Sequence, residues 1–305
     1  AGYSDVPFRS LCRAMGSAIS YTGLIPDNAV LAKGNRNRRL SDFRDEERPV
    51  AVQLLAKEEG RLAAAACKLA PLRPDLYDLN LGCPARQVVH GGRGAALLRQ
   101  PAQVARLVSA LVAAVEAPVT AKIRLGWSDD SRNHVEMARL LEENGVAAIA
   151  VHGRTRAQHY SGAADWEAIA EVKAAVRLPV FANGDVRTVE DIDAIRRATG
   201  CEAVMIGRGA VGNPWILQRR NIQHLSLAAR LPVIERHLRA MVDYYGERLG
   251  VVLFRKHVVK YIQHLDGATG FRPLLIAAEE ADQVLDILRA WRPDAAFAAV
   301  EGKGA

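Results

Sequence analysis

Apolar and polar positions fall into two regimes along the chain. Over residues 18–209, short β-branched or apolar runs end in glycine or polar residues, and alanine- and leucine-rich stretches of helical period follow. The runs are "AISYTGLI", "PVAVQLLA", "LYDLNLGCP", "PVTAKIRLG", "AAIAVHGRT", "LPVFANGD" and "AVMIGRG". Helical stretches such as "PAQVARLVSALVAAVE" and "HVEMARLLEENG" lie between them. Runs that are apolar on both sides read as strands covered on both faces. Strands that alternate with helices read as parallel βαβ units. The pattern predicts an α/β fold, a (β/α)8 TIM barrel. Seven strands are visible where the barrel takes eight, so the first strand is expected just upstream of Ala1 and the helix over 5–16 is expected to follow it. No G-x-G-x-x-G follows a strand, which removes support for an open dinucleotide-binding sheet.

After about residue 220 the strand pattern stops, and "LPVIERHLRAMVDYYGERLG", "VVLFRKHVVKYIQHL" and "AAEEADQVLDILRAW" all carry helical periodicity. The division expected is a barrel over 1–222 and a small all-α domain over 223–305.

Charge and cysteine content narrow this picture. The 305-residue chain has a net charge of +7 and a pI near 9.4, a balance that favours an anionic partner such as nucleic acid. No apolar run approaches the roughly 20 residues that span a bilayer, so no membrane partner is expected. Cys12, Cys67, Cys83 and Cys201 are scattered without C-x-x-C or Cys/His spacing, which argues against a metal site or a disulfide framework and suits a reducing cytoplasm. Cys12, Cys67 and Cys201 read as small core residues.

In a barrel the functional face lies where strands end and βα loops begin. The polar residues at those ends are Gln53, Asn80 with Cys83, Lys122 with Arg124, His152 with Arg154, Asn183 with Asp185, and Arg208. "ANGD" and "IGRGA" put glycine and backbone amides after the last two strands, where many barrels bind phosphate. Gly184 and Gly207 let backbone approach an anion, and Arg208 adds a charge-assisted contact. Lys122 suits either a cation beside an electron-rich ligand or a Schiff-base lysine in a cofactor-free aldolase. Cys83 is placed to give up a proton as a general acid or, with its pKa depressed, to act as a thiolate. Pro84 and the glycines at 91–94 are expected to let its loop move over a substrate.

"LNLGCP", "GGRGAALL", "AKIRLGW", "VHGRTRAQHYSGAADW", "ANGD" and "MIGRGAVGNPWI" together resemble the tRNA-dihydrouridine synthases, the bacterial B-type branch above all. "RKHVVKYI" resembles their C-terminal tRNA-binding domain less specifically. The resemblance implies an FMN-binding catalytic barrel and a helical tRNA-binding domain. It implies reduction of particular tRNA uridines to 5,6-dihydrouridine, with NADPH as transient reductant, hydride passing from flavin N5 to uracil C6 and a proton from Cys83 to C5. Carried over, Asn80 touches uracil or flavin. Gln53, Lys122 and His152 contact the isoalloxazine, and Asn183, Gly184, Asp185, Gly207 and Arg208 surround the FMN phosphate. Ala1 ends a flavin-contacting segment, and Arg154 lies near the substrate. Where many members carry an acid after "YT", this chain has Gly23.

A tRNA partner gives the basic charge a use, since a phosphate backbone demands Lys and Arg over a wide surface. "KGNRNRRLSDFRDEER" supplies Lys33, Arg36, Arg38 and Arg39, and the helical domain supplies Arg255, Lys256 and His257. Other readings are an FMN barrel that reduces a free pyrimidine, the Lys122 aldolase, and an RNA-binding barrel without catalysis. A cytoplasmic monomer is expected.

Overall fold

The structure, a computed structural model, describes residues 2–32 and 38–291. Ala1, Lys33 and Arg36, all given roles above, lie outside the described residues. Among the described residues eight strands are formed: β1 (Ser20–Tyr21), β2 (Ile25–Pro26), β3 (Val50–Leu55), β4 (Leu76–Asn80), β5 (Val119–Arg124), β6 (Ala148–His152), β7 (Val180–Asn183) and β8 (Ala203–Met205). They are parallel throughout, in the order β1-β3-β4-β5-β6-β7-β8, with β2 also pairing with β3. The short β1 and β2 therefore fill one sheet position, and the seven expected runs become seven positions. The fold is α/β, of the (β/α)8 barrel type with C-terminal helices.

The helices are α1 (Val6–Ala14), α2 (Asp27–Leu31), α3 (Glu59–Leu69), α4 (Arg86–His90), α5 (Pro101–Ala114), α6 (His134–Glu143), α7 (Trp166–Ala175), α8 (Val189–Thr199), α9 (Leu227–Tyr245), α10 (Glu247–Tyr261), α11 (Ala268–Ala277) and α12 (Ala281–Ala290). Their apolar spacing explains which face turns inward. On α5, Val104, Leu107, Val108 and Leu111 recur at helical period and are buried. β3 is buried at all six positions, as a strand covered on both faces must be.

Contacts divide the chain into two compact units. One comprises Ala1–Asp5 with Ala18–Gly207, and the other Val6–Ser17 with Arg208–Ala305. Helix α1, expected to follow a barrel strand, thus sorts with the C-terminal helices. The reason is its apolar face: Leu11 and Met15 join Ile234, Leu238, Met241 and Phe254 in one core. The contact boundary near the C-terminal end falls after Gly207, earlier than residue 222.

Within the helical unit, His237 and His257 are both fully buried. Their ring centroids are 4.5 Å apart, and Phe8 stands 5.8 Å from one and 5.4 Å from the other. His237 Nδ1 is 2.9 Å from the Tyr261 hydroxyl. Burial, and then the mutual charge of His257 and Lys256, pushes His237 well below the ordinary histidine range. Burial and Lys256 bring His257 down to about 3. His257 therefore cannot serve on an RNA-facing surface, contrary to expectation. Arg255 is half-buried and donates to the Ala278 carbonyl at 2.9 Å, a contact within the unit. Lys256 is partly exposed, and Arg236 and Arg248 are exposed.

Candidate active site

The site grows from a carboxylate inside the sheet. Gln53, Asp78 and Thr120 stand in register on β3, β4 and β5. Asp78 is fully buried, and its two oxygens are taken: Thr120 Oγ1 donates to Oδ1 at 2.6 Å and Gln53 Nε2 donates to Oδ2 at 2.8 Å. Burial pushes this carboxyl upward against the pull of those bonds and of Lys122. The Gln53 backbone N–H donates to Thr22 Oγ1 at 3.0 Å. The other end of the Gln53 amide, Oε1, accepts from Asn80 Nδ2 at 2.8 Å.

Asn80 passes the order on to the cysteine. Its Oδ1 accepts from the N–H groups of Gly82 at 3.2 Å and Cys83 at 2.9 Å. The Cys83 carbonyl accepts from the Ala95 N–H at 3.1 Å. Gly94 has φ +59°, and a Cβ there would sit 2.8 Å from the Cys83 carbonyl oxygen. Only glycine permits that approach. The residues after Cys83 were expected to free its loop; in the structure Gly94 and Ala95 pack on its carbonyl while Asn80 holds its N–H, beside a half-buried thiol.

Lys122, on β5, is half-buried, and Nζ donates to Asn183 Oδ1 at 2.9 Å. Burial, reinforced by Arg124, lowers this ammonium to about 8, and both Asp78 and Cys83 lie close enough to act on it electrostatically. Asn183 is fixed in turn by donating to the Met205 carbonyl at 2.7 Å. His152 is buried on β6, in register with Arg124 and Asn183. Its ring is 6.1 Å from that of the exposed Tyr160.

Two arginines from the expected rim are taken up by loop contacts. Arg124 is buried and donates to the carbonyls of Gly82, Thr155 and His159 at 2.8, 2.9 and 2.8 Å. Arg154 donates to Ser161 and Gly162 carbonyls at 3.1 and 2.6 Å, and to Asp185 Oδ2 at 2.6 Å. Asp185 Oδ2 also accepts from the Ala164 N–H at 2.8 Å. Burial opposes the Asp185 charge, but Arg154 and Ala164 outweigh it and hold the carboxyl below its ordinary range. Arg154 and Asp185 thereby tie the loop over 161–164 to the end of β7. Gly184 packs against His152 Cδ2, 3.3 Å from where its Cβ would be, whereas a Cβ on Gly207 would meet nothing within 4 Å.

Gln53, Asn80, Cys83, Lys122, His152, Arg154, Asn183, Gly184 and Asp185 thus share one sheet rim, linked through the contacts above. Arg208 is exposed and opens the turn Arg208–Ala210 of the other unit, and Arg39 is exposed on the turn Arg38–Leu40. Asp78, Thr120 and Thr22 were not foreseen. A signal existed for the first: an aspartate inside the apolar run "LYDLN" must be partnered if the strand is buried. Cys67, expected in the core, is exposed on α3. Among the described residues no group of three or more His, Cys, Asp or Glu is arranged to hold a metal ion, and no helix is long and apolar enough to cross a membrane.

Comparison with known proteins gives this rim a family. The dihydrouridine synthase model matches residues 1–297. The tRNA-dihydrouridine synthase B of Pseudomonas aeruginosa is 40% identical over 291 residues, 92% of this chain and 87% of that protein. That of Pectobacterium carotovorum is 39% identical over 301 residues, 95% of this chain and 93% of that one. A probable tRNA-dihydrouridine synthase of Rickettsia bellii is 36% identical over 283 residues, 89% and 86% of the two chains. Among solved structures, histamine dehydrogenase from Rhizobium sp. 4-9 superimposes with a TM-score of 0.55 at 12% identity, over 78% of this chain and 46% of that chain, a likeness of fold alone. With the model matched almost end to end and relatives near 40% identical along most of their length, this chain belongs to the dihydrouridine synthase family.

Proposed function

We propose that this protein reduces particular uridines of tRNA to 5,6-dihydrouridine, with FMN as its bound cofactor and NADPH as the reductant. Its kinship with tRNA-dihydrouridine synthases B supports the reaction. The observation that carries it is Cys83, its backbone held by Asn80, on the same rim as a half-buried lysine of lowered pKa.

The side chains present fit a flavin. Lys122 holds one hydrogen bond among the described residues, to Asn183, and its remaining N–H donors suit the electron-rich end of the ring. Open space at Gly207 leaves backbone accessible to a phosphate-bearing chain. When bound, FMN supplies the hydride that saturates uracil C6. Cys83 gives the proton to C5 from Sγ, and the Asn80 contact fixes the backbone that presents it. Gln53, locked between Asp78 and Asn80, keeps Asn80 in place, and His152 lines the ring site beside Gly184. Lys122 stays cationic below about pH 8 and offsets negative charge at the ring. Arg154 and Asp185 act as positioning residues for the loop over 161–164.

The helical unit is the proposed tRNA-binding domain, with Arg236, Arg248 and Lys256 as its cations, in a cytoplasmic protein. The test is a spectrum of the purified protein followed through addition of NADPH and then of unmodified tRNA without oxygen. A flavin band that bleaches with NADPH and returns with tRNA is expected, together with dihydrouridine in the recovered RNA. A colourless protein that fails to take up FMN overturns the reading and returns Lys122 to an aldolase role.

A further inference from the structure

The barrel unit carries a second polar feature that the chemistry above leaves unused. A cleft of about 110 Å³ is lined by Asp27, Asn28, Lys57, Glu58, Arg61 and Arg93. It lies on the same rim as Cys83. Asp27 directly follows β2, Lys57 comes two residues after β3, and Arg93 adjoins the Gly94 that packs on the Cys83 carbonyl.

The cations here exceed the anions. Asp27 is buried and takes Arg61 Nε on Oδ2 at 2.7 Å and Arg93 NH1 on Oδ1 at a long 3.5 Å. Those contacts account for both carboxylate oxygens yet leave donors over. Arg93 Nε is buried and has no hydrogen-bond partner among the described residues. The exposed Lys57 lines the cleft and makes no ion pair among the described residues. Against Lys57, Arg61 and Arg93 stand only Asp27 and Glu58.

Gly91 and Gly92 lie against these side chains. A Cβ on Gly91 would sit 3.3 Å from both Nε and NH2 of Arg93, and one on Gly92 3.5 Å from Lys57 Cδ. Asp27 holds Arg61 closely and Arg93 more loosely, and two forks plus an ammonium suit the oxygens of a phosphoryl group. A buried donor without a partner is costly unless a ligand satisfies it.

We propose that Lys57, Arg61 and Arg93 form an anion subsite for a backbone phosphodiester of the RNA strand that carries the reacting uracil. This rests on the tRNA reading above. The subsite grips the strand beside the Cys83 loop, so that binding energy from a non-reacting phosphate helps hold the target base at the thiol. A phosphoryl group of the nicotinamide nucleotide has the same chemistry and is the competing source.

The test uses the whole protein, with Lys57→Gln and Arg93→Gln. Lys57→Gln leaves both Asp27 ion pairs in place and so remains interpretable if Arg93→Gln folds poorly. Binding of unmodified tRNA transcript is measured from low to high salt, beside the NADPH dependence of flavin reduction. Wild-type binding reports separately on the tRNA reading. If wild type binds, Lys57→Gln is expected to weaken tRNA affinity several-fold and to flatten the slope of log affinity against log salt by about one. Unchanged affinity and slope would overturn the subsite. So would an effect confined to the NADPH concentration dependence, which assigns the cleft to the nicotinamide nucleotide. Wild type that fails to bind tRNA overturns the proposed function and the subsite with it.

Discussion

Asn80 reaches across to Cys83: its Oδ1 accepts the Cys83 N–H at 2.9 Å while its Nδ2 is held by Gln53 at 2.8 Å. The two functions are separable by mutation. Cys83→Ala should keep flavin and tRNA binding but lower dihydrouridine formation by about 100- to 10,000-fold, the usual worth of a positioned general acid. Asn80→Ala should retain the thiol and lose roughly 10- to 100-fold through misplacement. Mass spectrometry of the nucleosides from reacted tRNA reads both, and product formation by Cys83→Ala at the wild-type rate rules the acid role out.

Lys122 offers a stability test with a definite sign. Its folded pKa of about 8 lies below the ordinary 10.5, so between those values the unfolded chain binds the extra proton. Stability contributed at this position therefore rises with pH across that window, by at most about 1.4 kcal/mol per pH unit. Urea unfolding at pH 7.5 and 9.5 should show wild type gaining on Lys122→Met. A constant difference between the two proteins would show that Lys122 is not desolvated.

The His237–His257 pair predicts the same sign in the acid range. Both are held below the ordinary 6.5 by burial first, so the unfolded chain takes up protons first as pH falls. Stability is full above about 6.5 and is lost progressively towards pH 3, each histidine giving up to about 1.4 kcal/mol per pH unit. Hydrogen exchange in α9 and α10 should accelerate over that range. His237→Phe should flatten the slope, and an unchanged slope counts against the pair as its source.

Asp78 makes a fourth case. Asp78→Ala leaves the Thr120 hydroxyl and the Gln53 amide without their acceptor, at about 1–3 kcal/mol for each buried group. A thermal melt should fall by several degrees, and flavin content should fall with it as Gln53 and Asn80 loosen. A melt within a degree of wild type would mean that water replaces the carboxylate at little cost.

Strand positions and their polar ends were legible because buried parallel strands write themselves as apolar runs that stop at glycine or a polar side chain. Cys83, Lys122 and Asn183 were found that way. What each polar residue holds was not legible. Arg124 and Arg154 read as rim chemistry, yet Arg124 serves loop carbonyls more than 30 positions away and Arg154 divides its donors between a nearby loop and Asp185. The periodicity of α1 was plain, but the choice of core for Leu11 depends on residues more than 200 positions away, which no local pattern encodes. The Gly91–Gly94 segment misled for a related reason: glycine signals either freedom or close approach, and only its neighbours decide.

The row Gln53–Asp78–Thr120 has a consequence for how the chain assembles. These three residues are register partners on adjacent strands, and each polar group is matched only in that alignment. A slip of one residue in β4 would turn Asp78 to the opposite face and set a carboxylate against apolar helices. The apolar residues of these strands tolerate many alignments, because one valine packs much like another. The carboxylate tolerates one. The root of the proposed catalytic rim is therefore also a proofreading mark for strand pairing, and a chain that misaligns its sheet loses its cysteine anchor in the same step.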